Sequence, residues 1–322
     1  MKPALSILAT ALAFASALSA APATAQITLV TSQTGTGNSL YVEQAAAGAP
    51  AMSAAITQVG ENNKAGDPVA LSPGIIQLNS DLTDARIEQT GNDNNAGIRQ
   101  SNLYRSSSTI TQLGNGNSGV VLQQDSGEAD NALLQIGNNN LANFEQISVF
   151  PFSITAQQLG NDNSITVTQL NSGFAGPTIS QTGNLNTVTI DQTNAQYSGI
   201  QVVQLGASNS ASVKQLNTYF TSQQSINQNG EGNIASADEE GQRNGSRIVQ
   251  NGDFNTASTL LRQNDSEAQI TQTGNNNAAS ISQTGAAGLG LLNTASISQT
   301  GNNFSATLTQ SGSDNHAAIV QH

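Results

Sequence analysis

The chain of 322 residues has no cysteine and no tryptophan, 7 prolines and 2 histidines; aromatic residues make up 4% of it and charged residues 9%. Each shortage excludes something. Without cysteine an exported product has no disulfides and must hold itself together by other means. So few aromatic and charged side chains give neither an ordinary globular core nor an ordinary solvated surface. The two histidines, His316 and His322, sit together at the end of the sequence, and no spacing picks out a Ser, His and Asp as a nucleophilic triad. The carboxylates Asp93, Asp162, Asp253 and Asp314 fall on turns, where turn propensity and solubility explain them. G-N-D-N at Gly91 and Gly160 lacks the paired glycines of a calcium-binding β-roll, and no phosphate-cradling glycine motif opens a helix. The expectation is a protein that is not an enzyme and takes no cofactor or metal.

Long apolar runs are missing after the N-terminus. Lys2, the apolar stretch Ala4 to Ala20 and Ala23-Thr24-Ala25 read as a secretory signal over residues 1–25, leaving Gln26 first in the mature chain. Beyond it no segment approaches the ~18 apolar residues of a membrane-spanning helix. Removing the signal leaves 8 basic against 21 acidic residues, a net charge of −13. That sign opposes nucleic acid and anionic membrane surfaces as partners.

What is abundant is glutamine, asparagine, serine, threonine and glycine, in a fixed order. A glutamine stands at Gln112, Gln135, Gln158, Gln181 and Gln204, 23 residues apart each time. Glycine follows two residues later (Gly114, Gly137, Gly160, Gly183, Gly206) and asparagine five later (Asn117, Asn140, Asn163, Asn186, Asn209). A second glutamine comes eleven later, at Gln123, Gln146, Gln169, Gln192 and Gln215. The first glutamine also occurs at Gln33, Gln58, Gln89, Gln228, Gln250, Gln272 and Gln299, twelve copies in all, each with its glycine. The fifth position is asparagine in every copy except at Phe304, and Gln283 and Gln310 supply later second glutamines. A single period of this length through nearly all of the chain predicts one repeat domain over residues 26–322.

Within each unit the apolar residues alternate with polar ones at period two, as in Ile110, Leu133, Ile179 and Val202 before the first glutamine and Val121, Phe144, Val167 and Ile190 before the second. That is the pattern of half-buried strands and argues against disorder. The glutamines share parity with the isoleucines, so both face inward, and serine, threonine and charge face out. G-x-x-N supplies a tight turn, since glycine and asparagine tolerate the positive φ of sharp reversals and asparagine can also bond to nearby backbone. The predicted fold is all-β: a flattened β-solenoid with two short strands per coil and about twelve coils, roughly 58 Å long at strand spacing. An inward amide without partners costs about 1–3 kcal/mol. Stacked at strand spacing, the glutamines form ladders that satisfy one another and resist slippage. Extra residues fall mostly after the second glutamine. Val69, Glu239 and Leu261 stand in second-glutamine places and Asp67-Pro68 interrupts a strand. Weak or bulged packing is expected around Glu239 and Leu261.

The unit Q-x-G-x-x-N-x-A-x-x-x-Q, as in Gln272, Gly274, Asn277, Ala279 and Gln283, resembles the curlin repeat of curli fibre subunits and covers nearly all of the chain after the signal. The repeats here begin within a few residues of Gln26, without a glycine- and asparagine-rich export segment, and the opening serine of Ser106, Ser198, Ser222 and Ser266 is replaced at Ile27, Met52, Ala129 and Phe152. The resemblance implies a secreted bacterial subunit that polymerises at the cell surface into amyloid fibres of a biofilm matrix, exported through an outer-membrane pore and aided by a nucleating subunit. From the residues themselves, the leading reading is end-to-end self-assembly, with Gln26 to Val42 and Asn315 to Gln321 as the contact strands. The alternative is a monomeric solenoid acting as an adhesin or other binding module. Against it, the outward positions hold no uniform threonine array and few aromatics beyond Tyr41, Tyr104, Tyr197 and Tyr219.

Overall fold

The structure, a computed structural model, describes residues 26–45, 51–66, 74–151, 153–174, 176–220, 222–285 and 292–322. The predicted signal over residues 1–25, together with Asp67, Pro68, Val69 and Phe152, lies outside the described residues. The described residues form no helix. Their strands fall into two parallel sheets, and consecutive strands alternate between the sheets, so the chain winds as a flattened spiral. The first sheet has 13 strands, from Gln26–Thr34 to His316–Gln321. The second has twelve levels, ending at Ser305–Ser311; it counts 14 strands because its first two levels are each in two pieces. The molecule is therefore a β-solenoid of twelve coils and one further half-coil.

Pairing between coils keeps like on like. Ile110 lies beside Leu133, Gln112 beside Gln135, Val121 beside Phe144 and Gln123 beside Gln146. Inward positions are almost completely shielded: Ile110, Val121, Phe144, Ile165 and Val167 are all 0% exposed. The small residue at the start of most second strands, with Leu40, Ile165 and Val188 as exceptions, has a steric reason. A Cβ on Gly119 would lie 2.8 Å from Leu133 Cδ2 and 3.3 Å from Gln135 Oε1, so the glutamine side chains of the first sheet fill the space that an alanine leaves. The same exchange recurs at the other end of the strands, where Ser108 Oγ donates to Gln123 Oε1 (2.7 Å) and Asn131 Nδ2 to Gln146 Oε1 (2.6 Å).

The tight turns stack on themselves. Gly114, Gly137, Gly160 and Gly183 adopt φ of +121°, +119°, +126° and +117°, which only glycine reaches without strain. A Cβ on Gly137 would also sit 1.9 Å from the Gly160 carbonyl oxygen of the next coil. The second positive φ of the turn falls on the fourth position after the glutamine (Asn139, Asp162, Leu185, Ser208), not on the fifth. The recurrent asparagine is thus not there for a positive φ, one of the two reasons the sequence offered; the other, bonding to nearby backbone, is met.

Two further differences concern irregular coils. The second strand of the coil that starts at Gln58 is split into Lys64–Ala65 and Ile75–Leu78, and Gln77, not Val69, occupies the second-glutamine level beside Gln44 and Gln100. The extra residues of this coil lie ahead of the second glutamine, because the solenoid accepts an excursion wherever the strand resumes in register. Near Glu239 the pairing of Ser210–Tyr219 with Ile234–Gln242 shifts register between Leu216 and Tyr219, a bulge beside the expected place. Glu239 and Leu261 themselves are paired and 0% exposed, so the rung is not open to solvent.

Replacing Gly137 by alanine is expected to cost about 2–3 kcal/mol or more, since left-handed strain and a backbone clash add. Urea denaturation checks this, with Asn139→Ala as the milder control at a position of φ 56°.

Candidate assembly site: amide ladders and open edges

Thirteen glutamines form one unbroken column through the first sheet. Nε2 of each donates to Oε1 of the next: Gln33 to Gln58 (2.6 Å), Gln58 to Gln89 (2.8 Å), Gln89 to Gln112 (2.9 Å), Gln112 to Gln135 and Gln135 to Gln158 (both 2.8 Å). It continues from Gln158 through Gln181, Gln204, Gln228, Gln250, Gln272 and Gln299 to Gln321 at 2.8–2.9 Å. The second Nε2 hydrogen reaches a main-chain carbonyl across the core, as from Gln112 to Asn95 (2.9 Å) and Gln158 to Leu141 (3.1 Å). Each interior amide thus gives both hydrogens and accepts one bond, although it is shielded from water.

The second column runs Gln44, Gln77, Gln100, Gln123, Gln146, Gln169, Gln192, Gln215 with bonds of 2.6–3.2 Å and the same donor direction. It resumes from Gln283 to Gln310 (2.7 Å). Gln44, Gln77, Gln100 and Gln321 are ladder members beyond those named from the sequence; Gln44, Gln100 and Gln321 stand eleven residues after Gln33, Gln89 and Gln310, and Gln77 alone departs from that spacing.

A third column, missed as a ladder, joins the asparagines of the tight turns. Asn117 donates from both its backbone N and Nδ2 to Asn94 Oδ1 (both 3.1 Å) and from Nδ2 to the Gly137 carbonyl of the following coil (2.8 Å). Asn140, Asn163, Asn186 and Asn209 repeat this. The pattern fixes asparagine at the fifth position through its amide, and it runs opposite in sense to the glutamine columns. Outside it Asn92, Asn115, Asn138, Asn161 and Asn184 form an exposed ladder of their own. The column ends at Phe304, whose backbone N still donates to Asn277 Oδ1 (3.0 Å).

The second glutamine column breaks at one place. Glu239 and Leu261 replace two rungs, and the buried side-chain polar atoms without a partner among the described residues are Gln215 Nε2, Gln224 Oε1, Asp238 Oδ1, both Glu239 oxygens and Gln283 Oε1. All of them border those two rungs. Burial pushes the Glu239 carboxyl up to about 8; the facing Gln224 and Gln215 amides pull it back in part without reaching hydrogen-bonding geometry, and the charge of Asp238 raises it further. At neutral pH Glu239 is mostly protonated and stands in for a glutamine. Outside the core, Arg262 bridges Asp238 and Glu240 at 2.7 Å each and Arg243 holds Asp265.

Two outward rows are also in register. Val59, Thr90, Leu113, Ile136, Leu159, Thr182 and Leu205 stack on the first sheet. On the looser edge Phe174 and Tyr197 stack with ring centroids 4.5 Å apart, followed by exposed Phe220. His316 is exposed and bonded to Thr294 (2.7 Å). Among the described residues no three His, Cys, Asp or Glu come together to hold a metal, and no helix is long and apolar enough to cross a membrane.

The family model of the curlin associated repeat matches residues 264–287 and 293–322. Among curated proteins none matches the chain.

A buried acid with a raised pKa stabilises the fold fully below its unfolded value, near 4.5, and that contribution is lost as pH rises through about 8. Stability to urea is therefore expected to fall between these limits by up to about 1.4 kcal/mol per pH unit. Glu239→Gln should abolish that slope and raise stability most at pH 9; an unchanged slope in the variant would assign the pH dependence elsewhere.

Proposed function

We propose that this chain, a β-solenoid carrying curlin-associated repeats, is a secreted structural subunit that polymerises head to tail into extracellular curli-like amyloid fibres, with biofilm matrix and surface adhesion as their role. The observation that carries the reading is the direction of the glutamine columns. Every Nε2 donates toward the C-terminal end, so that end presents donors at Gln310 and Gln321, and the other end presents the acceptor oxygens of Gln33 and Gln44. Head meets tail with amide satisfied by amide, whereas head against head would set oxygen against oxygen.

The edge strands add unpaired backbone groups to the same faces. Gln26–Thr34 and His316–Gln321 each have a single neighbour in the first sheet, and an uncovered parallel edge is a template for another strand. Contacts of this kind do not close into rings, so the product is a filament. The partner is another copy of the chain. By family resemblance a nucleating curlin subunit and an outer-membrane export pore are further partners; a net charge of −12 for the whole chain disfavours nucleic acid.

A second reading, a monomeric cell-surface binding module, draws on the exposed aromatic row of Phe174, Tyr197 and Phe220, side chains of the kind that bind apolar and sugar surfaces.

The chain from Gln26 onward holds every strand described. Purified, it is expected to form thioflavin-positive fibres at a rate that rises with concentration, with a reflection near 4.8 Å along the fibre axis. A chain that stays monomeric at high concentration for weeks would contradict polymerisation and favour the binding module.

A further inference from the structure

Strands along the chain alternate between the sheets, and the last one, His316–Gln321, lies in the first sheet. The next place on the spiral is therefore in the second sheet, on the open edge of Ser305–Ser311. An incoming copy leads with Gln26–Thr34, a strand of its own first sheet. We propose that successive copies join with a half-turn about the long axis, so that Gln26–Thr34 of one copy pairs with Ser305–Ser311 of the copy before it, and Val42–Ala45 pairs with His316–Gln321. The inference rests on head-to-tail polymerisation and specifies the joint.

Three independent features fit a half-turn and do not fit simple translation. The first is the strand count, 13 against twelve levels: translated copies would leave a place one strand high above Ser305–Ser311, whereas turned copies fill it.

The second is the connection from Gln310 to Gln321. It crosses the edge that elsewhere carries the looser loops, yet it is built as a tight turn, with φ of +98° at Gly312 and +59° at Asp314. Asn293 Nδ2 donates to the Gly312 carbonyl (3.1 Å), Asn315 N to Asn293 Oδ1 (2.8 Å) and Asn315 Nδ2 to the Ser311 carbonyl (3.2 Å). The first tight turn repeats this set: Asn38 Nδ2 to the Gly60 carbonyl (2.8 Å), Asn63 N to Asn38 Oδ1 (2.9 Å) and Asn38 Nδ2 to the Thr34 carbonyl (3.2 Å). Only a half-turned copy lays its Gly35–Asn38 turn on Gly312–Asn315, and it then extends the asparagine column by the same bonds.

The third is Phe304. It ends the asparagine column on the tight edge, with its ring against Gly301. Translation would set Asn38 of the next copy over a phenyl ring. A half-turn takes Asn38 away from that ring and sets it over Asn315.

The side chains match in the turned register. Gln33 falls on Gln310 and Gln44 on Gln321, each oxygen against a donor Nε2. Leu29 falls on Ala306, Thr31 on Leu308, Leu40 on Ala317 and Val42 on Ile319, apolar or small at every inward position.

The absence of cysteine allows a direct test. In the half-turned joint Ser32 lies beside Thr309 of the preceding copy; in the translated joint it lies beside Val320. All three side chains are exposed. Neighbouring strands about 4.8 Å apart are within disulfide reach. Fibres of Ser32→Cys with Thr309→Cys are expected to yield oxidised multimers on a non-reducing gel, and fibres of Ser32→Cys with Val320→Cys are expected to yield none. The reverse result, or fibres in which neither pair links, overturns the half-turn and leaves polymerisation standing. Averaged electron micrographs of unsubstituted fibres give a second readout: a half-turn between successive subunits is expected, and pure translation overturns it. A chain that makes no fibres at all removes polymerisation and the joint together.

Discussion

The hydrogen bond from one glutamine amide to the glutamine amide of the next coil is the constraint from which the rest of this structure follows. Gln112, Gln135 and Gln158 are 0% exposed, and each would lose about 1–3 kcal/mol as an unpartnered buried amide. The loss is avoided only when another amide lies one strand spacing away at the same height in the core. That condition fixes the register of both sheets, since a slip of one residue would turn isoleucine and glutamine outward together. It also demands a turn that repeats without drift, met by glycines whose backbones nearly touch and by asparagines that bond both to the coil before and to the coil after.

The same constraint makes the ends of the stack unlike its middle. Interior amides are saturated, whereas the terminal ones keep a free donor at one end and a free acceptor at the other. The glutamine columns share one direction and the asparagine column has the opposite one, so each face carries both donors and acceptors in a fixed arrangement that an identical molecule complements. Where the rule is broken inside the stack, at Glu239 and Leu261, the unpartnered buried atoms gather, and a carboxyl that burial keeps protonated takes the place of an amide. The solenoid tolerates this because the first-sheet column passes the same coils unbroken through Gln228, Gln250 and Gln272.

Much of this was legible in the residues. Period, alternation and glycine at the second position predicted coils, parallel in-register strands and inward glutamines, because each is a local consequence of geometry repeated many times. What escaped was set by neighbours in space. Gln77 was hidden because spacing counted along the chain cannot see an excursion after which the strand resumes in register. Of the two reasons the sequence offered for the asparagine, positive φ fails and bonding of its amide to backbone holds, with a column from asparagine to asparagine added; the recurrence of asparagine at the third position, in Asn92, Asn115 and Asn138, was the signal that amide columns extend to the surface. Glu239 marked an irregular coil, but its complete burial, which raises its pKa against the pull of the facing Gln224 and Gln215, is set by neighbours in space.

The most direct measurement of the central claim is hydrogen exchange at side-chain amides, followed by nitrogen-resolved magnetic resonance on the folded chain. The account predicts that the Nε2 hydrogens of Gln112, Gln135 and Gln158 exchange as slowly as the core backbone, while those of the outward-facing Gln201 exchange at the rate of a free amide. Rapid exchange at all four would contradict it.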